Sequence, residues 1–214
     1  MLKHSVSNKI PYISSSPHSI NTLILLFSLI FLTTSCVVTP LSPPPLSDDI
    51  IRLSELNYNS IILDVSDTSS TSQSNKTVGR QFLFIILPFG RIEMQKPTTT
   101  LFNTAFNSLT LHGYKPTEAG ARLKKLKISI EDVSLYGYDL IFLRRVSASV
   151  TLRANLSDLN DNLLLSWTAT ASRKRWEKFA FAPQLNYVFN QALSEAMDKL
   201  LIPLRSIGKS PLRR

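Results

Sequence analysis

Two stretches of apolar and polar alternation constrain this chain more than any other feature. Val146, Ala148, Val150, Leu152, Ala154 and Leu156 alternate with polar positions, and Leu163, Leu165, Trp167, Ala169 and Ala171 do the same. A period of two sustained over that length demands β-strands with one buried face. Ser157 to Asn162, between them, is rich in turn-forming residues, so the strands should close as an antiparallel hairpin. Placing Leu156 opposite Leu163, Leu152 opposite Trp167 and Ala148 opposite Ala171 puts both apolar sets on one side.

Such a face needs an apolar cover. Val188, Phe189, Ala192, Leu193, Ala196, Met197, Leu200 and Leu201 form a helical stripe that starts near Pro183 and should stop at Pro203. A second helix is expected from Pro97, with Leu101, Phe102, Ala105, Phe106 and Leu109 on one face and Gly113 as its C-terminal cap. Further strands are read at Ser60 to Val65 and at Leu126 to Ile130, the latter closing at Glu131-Asp132. The nearly continuous apolar run from Gln81 to Phe89 reads as one strand buried on both faces, or as a docking edge if one face stays open. The order strand, strand, helix, three strands, helix defines an α+β fold, a two-layer sandwich with a mainly antiparallel sheet and two helices on one face.

The N-terminus follows different rules. Residues 1–36 contain no Asp or Glu, carry Lys3 and Lys9, and run apolar from Thr22 to Leu32 before Thr33, Thr34, Ser35 and Cys36, the sole cysteine. That order of parts is a signal peptide's, and the apolar run is shorter than the roughly 20 residues needed to span a bilayer. Residues 1–35 are read as a cleaved signal peptide, with an uncleaved inner-membrane signal anchor as the alternative. Pro40, Pro43, Pro44 and Pro45 mark 36–57 as a Pro/Ser-rich tether, 58–203 forms a single domain, and 204–214 is a basic, frayed tail. Loss of 35 of the 214 residues leaves 179, enough for one domain. Only two of the 24 Lys and Arg precede Cys36 and all 15 acidic residues follow it, so the mature chain carries 22 minus 15, or +7. It should seek anionic surfaces.

Small residues ending in a cysteine resemble the lipobox of bacterial lipoproteins. The resemblance implies a covalent diacylglycerol and N-acyl lipid (palmitate) on Cys36 and, because Val37 follows the cysteine, delivery to the periplasmic face of the outer membrane. The lipobox, the helix, the run of three strands and the long C-terminal helix together are similar to small periplasmic lipoproteins. The YajG-like uncharacterised lipoproteins are the nearest of these, through Asp64-Val65-Ser66-Asp67 followed by Val78-Gly79-Arg80. The element order is also similar to the lipoprotein partner of the lipopolysaccharide-assembly barrel and to auxiliary lipoproteins of ABC-type lipid transporters.

Catalytic signals are sparse. His4 and His18 leave with the signal peptide, so His112 is alone and no histidine pair can hold zinc in the mature monomer. Asn155, Asp158, Asn160, Asp161 and Asn162 form one oxygen-rich cluster, but its spacing is not that of an EF-hand and a hairpin turn accounts for it. No nucleophile elbow or P-loop stands out, and the chain reads as a non-enzyme without further cofactor or metal. The charges say more. The hairpin register above sets Arg145 opposite Lys174 and Arg144 opposite Arg175, with Arg173, Trp176 and Lys178 beside them. Like charges facing each other across a sheet call for screening or for a bridging anion. Arg144, Arg145, Arg173, Lys174, Arg175 and Trp176 are therefore the candidate site for an anionic lipid or an envelope protein partner, as against a solvated strand end. Nucleic acid is not expected as a partner of an exported chain. The function read from all this is a non-catalytic binding or assembly role at the cell envelope. A subunit of a lipid or lipopolysaccharide transport machine is the alternative, and an envelope hydrolase the third reading.

Overall fold

A computed structural model describes residues 37–56, 59–67, 76–83, 86–117, 124–140, 143–178 and 183–208. Residues 1–35, read above as a signal peptide, and Cys36 lie outside the described residues. Cys36–Arg214 forms one compact unit. The elements are β1 (Val37–Leu41), α1 (Asp48–Leu56), β2 (Asn59–Asp67), β3 (Lys76–Leu83), β4 (Leu87–Met94), α2 (Pro97–Leu111), β5 (Tyr114–Thr117), β6 (Lys125–Asp139), β7 (Arg144–Ser157), β8 (Leu163–Glu177) and α3 (Pro183–Gly208). The fold is α+β, with one mixed eight-stranded sheet and three helices among the described residues.

The sheet is organised around β6. Along one edge β7 pairs with it antiparallel from Lys125–Ser157 to Asp139–Arg144, and β8 continues beyond β7. The other edge is shared by two strands in tandem: β2 runs parallel to Lys125–Ile130, and β3 runs parallel to Leu135–Asp139. Between these halves a bulge at Glu131 lets the strand continue, so β6 does not close at Glu131-Asp132 as its sequence reads. β5 joins the outside of β2, while β4 and then β1 join the outside of β3.

The inner face of this sheet holds the core. Leu126, Ile128, Ile130, Leu135 and the even-numbered residues from Val146 to Leu156 are buried. Against them lie Leu185, Val188, Phe189, Ala192, Leu193, Ala196, Met197, Leu200 and Leu201 of α3, and Leu101, Ala105 and Leu109 of α2. The helix stripes are thus used as the sequence implies. Gly113 takes φ +83° after the C-cap residue His112, a conformation that costs glycine nothing. Gly79 is required for a different reason: a Cβ there would lie 1.7 Å from the Leu135 carbonyl oxygen.

Four expectations are corrected. Residues 37–56 are not a spacer, because β1 pairs in parallel with β4 and Leu41 is 1% exposed. Pro40 is tolerated there since β1 is an edge strand. Ser47 caps α1 through the Ile50 N–H, which reaches its Oγ at 3.3 Å. The 81–89 run is no single buried strand but the heart of the β3–β4 hairpin, with Leu83 opposite Leu87 and Ile86 75% exposed. Pro203 does not stop α3, which runs on to Gly208, so the frayed tail cannot begin at 204. Finally, β7 and β8 pair two residues away from the expected register, with Leu156 opposite Leu165, Ala154 opposite Trp167 and Val150 opposite Ala171.

Candidate functional site

A two-residue slip keeps every side chain on its face but changes which charges meet. Arg144 lies opposite Glu177, Arg145 opposite Trp176 and Ser147 opposite Lys174, so the stacked like-charge pairs do not form. The six candidate residues divide between the two faces.

Arg144 points inward and is 5% exposed. Its Nε lies 2.8 Å from Asp139 Oδ1, its Nη2 donates to Gln81 Oε1 at 2.7 Å, and Gln81 in turn donates to Thr39 Oγ1. This buried chain of polar contacts ties β7, β6, β3 and β1 together. Gly137 makes room for it, because a Cβ there would meet Arg144 Nη2 at 3.3 Å. Burial pushes the Asp139 carboxyl above its ordinary value, and the Arg144 guanidinium pulls it part of the way back. Arg144 is a structural residue and leaves the candidate site.

Arg173 and Arg175 share the inner face and engage α3. Arg173 Nε lies 2.6 Å from Glu195 Oε2, Lys199 Nζ lies 2.9 Å from Glu195 Oε1, and the Arg175 guanidinium sits 4.9 Å from the centre of the Tyr187 ring. The Lys199 hydrogen bond, aided by the Arg173 charge, holds the Glu195 carboxyl below its ordinary value against some desolvation. These two arginines fasten β8 to its helix.

Arg145, Lys174 and Trp176 remain, and the structure brings them together on the outer face. They line a groove of ≈ 380 Å³ with Tyr138, Leu140 and Ser147. The Arg145 guanidinium lies 5.4 Å from the Trp176 ring centre, a cation–π stack that fixes both side chains. Arg145 Nε is shielded from solvent and has no hydrogen-bond partner among the described residues. Trp176 is 56% exposed, so an apolar edge stands beside the cation. Beside the groove Phe82 stacks on Tyr138 at 5.2 Å between centroids, and Tyr136 lies 6.3 Å from Tyr138. Tyr136 and Tyr138 escape a reading of the sequence that ends the strand at Asp132. Their spacing of two is the available signal, broken by the small Gly137 between them.

The other chemical candidates resolve into structure. Asp158 Oδ1 accepts the Asn160 and Asn162 N–H groups, each at 2.9 Å, and Oδ2 accepts from Asn162 Nδ2 at 3.0 Å. The carboxylate is spent inside the turn, and those bonds hold its pKa below the ordinary value. His112 Nε2 faces Asp198 Oδ1 at 3.6 Å.

No family model matches the chain, and no curated protein matches it. Solved structures do. Protein XCC0632 from Xanthomonas campestris, of the DUF330 family, superposes with a TM-score of 0.51 at 15% identity, covering 81% of this chain and 97% of its own. A minor lipoprotein from Acinetobacter baumannii reaches 0.42 at 13% identity, covering 70% and 93%. Rare lipoprotein B from Shewanella oneidensis reaches 0.38 at 12%, covering 70% and 96%. Bacterial lipoproteins thus stand among the structural neighbours. At these identities the likeness to the Xanthomonas protein speaks to fold alone.

Proposed function

We propose that the chain is a lipid-anchored envelope protein with a non-catalytic binding or assembly role, acylated at Cys36 and held at the periplasmic face of the outer membrane. The groove of Arg145, Lys174 and Trp176 is its binding site, and it takes an anionic group. The observation that carries this is the pairing, in one groove, of exposed aromatic surface with a stacked guanidinium and an exposed lysine, on the face that α3 does not cover. Four carboxylates are taken up by structural contacts, which accords with a non-enzymatic reading. Asp139, Glu131 and Glu195 are committed to Arg144, Arg153 and Arg173, and Asp158 to its own turn. Among the described residues no cluster of His, Cys, Asp and Glu could hold a metal.

A second reading, an auxiliary subunit of a lipid or lipopolysaccharide transport machine, is favoured by the far tip of the β7–β8 hairpin. There Leu159, Leu163 and Leu164 are each more than half exposed, which fits a protein contact. Photo-crosslinking in intact cells from a probe at Ser147, which lines the groove, separates the two. Lipid or lipopolysaccharide in the captured product is the expected result. One discrete permease or barrel protein captured in its place makes the transport-subunit reading the correct one.

A further inference from the structure

The groove is one corner of a larger pattern. Register partners across neighbouring strands share a face, so the outer face can be followed strand by strand. One row runs Pro88, Phe82, Tyr138, Arg145, Trp176 from β4 to β8. The next runs Val38, Arg91, Arg80, Tyr136, Ser147, Lys174 from β1 to β8. These two rows hold four cations, four aromatic rings and no carboxylate. The row beyond them is Pro40, Glu93, Thr77 on one side and Ser134, Ser149, Ser172 on the other, and the following one contains Asp132, Thr151 and Thr170. Among the described residues the aromatic rings of the open face are confined to this end, and the cations here have no carboxylate in their rows, whereas Lys125, Lys127 and Arg153 further along stand among Asp64, Glu131 and Asp161. Val38 is 45% exposed, Tyr136 39% and Trp176 56%, and Arg80, Arg91 and Lys174 are exposed as well.

That end is also where the chain enters the sheet. β1 begins at Val37, and Val38 is itself a member of the second row. One residue extends the chain by at most about 3.6 Å, so an acyl group on Cys36 places this end of the face at the bilayer surface. Tyr and Trp prefer the water–hydrocarbon boundary, and Arg and Lys are drawn to anionic headgroups.

We propose that this end of the open face rests on the anionic headgroup surface of the membrane that holds the anchor, with Trp176, Tyr136 and Val38 at the boundary and Arg80, Arg91, Arg145 and Lys174 on phosphates. The proposal rests on the reading of Cys36 as the acylated residue and supplies a partner for the groove: a lipid surface. It also fixes an orientation, with the leucine-bearing hairpin tip at the opposite end of β7 and pointing away from the bilayer.

The test uses the full chain, matured in cells, purified in detergent and reconstituted in vesicles of phosphatidylcholine alone or with about a third phosphatidylglycerol, where each basic residue near an anionic surface contributes roughly a fivefold gain. Brominated acyl chains report contact by quenching Trp176. The Trp176→Phe variant supplies the background from Trp167, whose Nε1 donates to the Leu200 carbonyl on the inner face. Quenching of Trp176 should be several-fold stronger with phosphatidylglycerol. It should fall away at about 0.5 M salt, where the screening length is only a few ångström, and in the Arg80→Gln/Lys174→Gln variant, whose circular dichroism should be unchanged. Unquenched Trp176 on vesicles that carry the protein overturns the proposal, as does equal quenching with and without phosphatidylglycerol. So does a cross-linking probe at Tyr136 that captures a protein and no lipid in cells. Failure of the anchor reads differently, as a Cys36 peptide without acyl mass and a protein that does not float with vesicles. The same vesicles added to that unacylated chain then still decide whether the face binds them.

Discussion

Residue by residue, the largest consequences fall on positions whose structural role the sequence does not spell out. Gly79→Ala forces a Cβ into the Leu135 carbonyl, which is backbone and cannot step aside, so β3 must leave β6. We expect a loss of at least about 3 kcal/mol, the upper end for overpacking, read as a shift in the urea midpoint. Arg144→Met removes one partner of a pair whose side chains are 6% and 26% exposed, and should cost about 3 kcal/mol at neutral pH. Its pH dependence is a sharper test. The folded pKa of Asp139 already lies above its unfolded value and should rise further without the guanidinium. In the variant, stability is then greatest below the unfolded pKa and is lost as pH rises through the folded one. The deficit relative to wild type should therefore shrink on acidification, and Asp139→Asn in the same chain should restore part of it. Neither role shows in the sequence. Arg144 and Arg145 are adjacent arginines, and only the parity of β7 sends one into the core and the other to the groove.

At the level of elements, periodicity carried what it could. Both long helices lie where their stripes and opening prolines put them, and alternation names the core-facing side of β7 and, in β8, of Trp167, Ala169 and Ala171, whereas Leu163 and Leu165 are exposed. Alternation cannot separate registers that differ by two residues, because both keep the same faces. Turn chemistry makes that choice: Asp158 gathers Asn160 and Asn162, Asp161 takes φ +58°, and the pairing shifts between Leu156 and Ser157. The Asp158 carboxyl titrates below its ordinary value, so its hold on the turn is present above the unfolded pKa and is lost as pH falls through the folded one. Amide exchange at Asn160 and Asn162 should accelerate at that acid limit, and at all pH values in Asp158→Ala. The β3–β4 hairpin was illegible because its bend falls inside an apolar run without Gly or Asn to announce it. β1 was hidden by prolines that an edge strand can accept. Leu41→Ala distinguishes strand from spacer. It should cost about 3 kcal/mol as a buried leucine, against almost nothing for a residue of a solvated tether, and the thermal midpoint reports which.

On the scale of the whole molecule, β6 makes one sheet of two sub-assemblies, β2 with β5 and β3 with β4 and β1, which share an edge without pairing with each other. Val37 to Leu41 is the outermost strand of the second, and its parallel match to Gly90–Met94 has a mechanical meaning. Tension entering at residue 36 runs along β1 and loads its cross-strand bonds together in shear, whereas a pull across the strand would open them one after another. A domain tugged by its leading end in this way yields late and all at once.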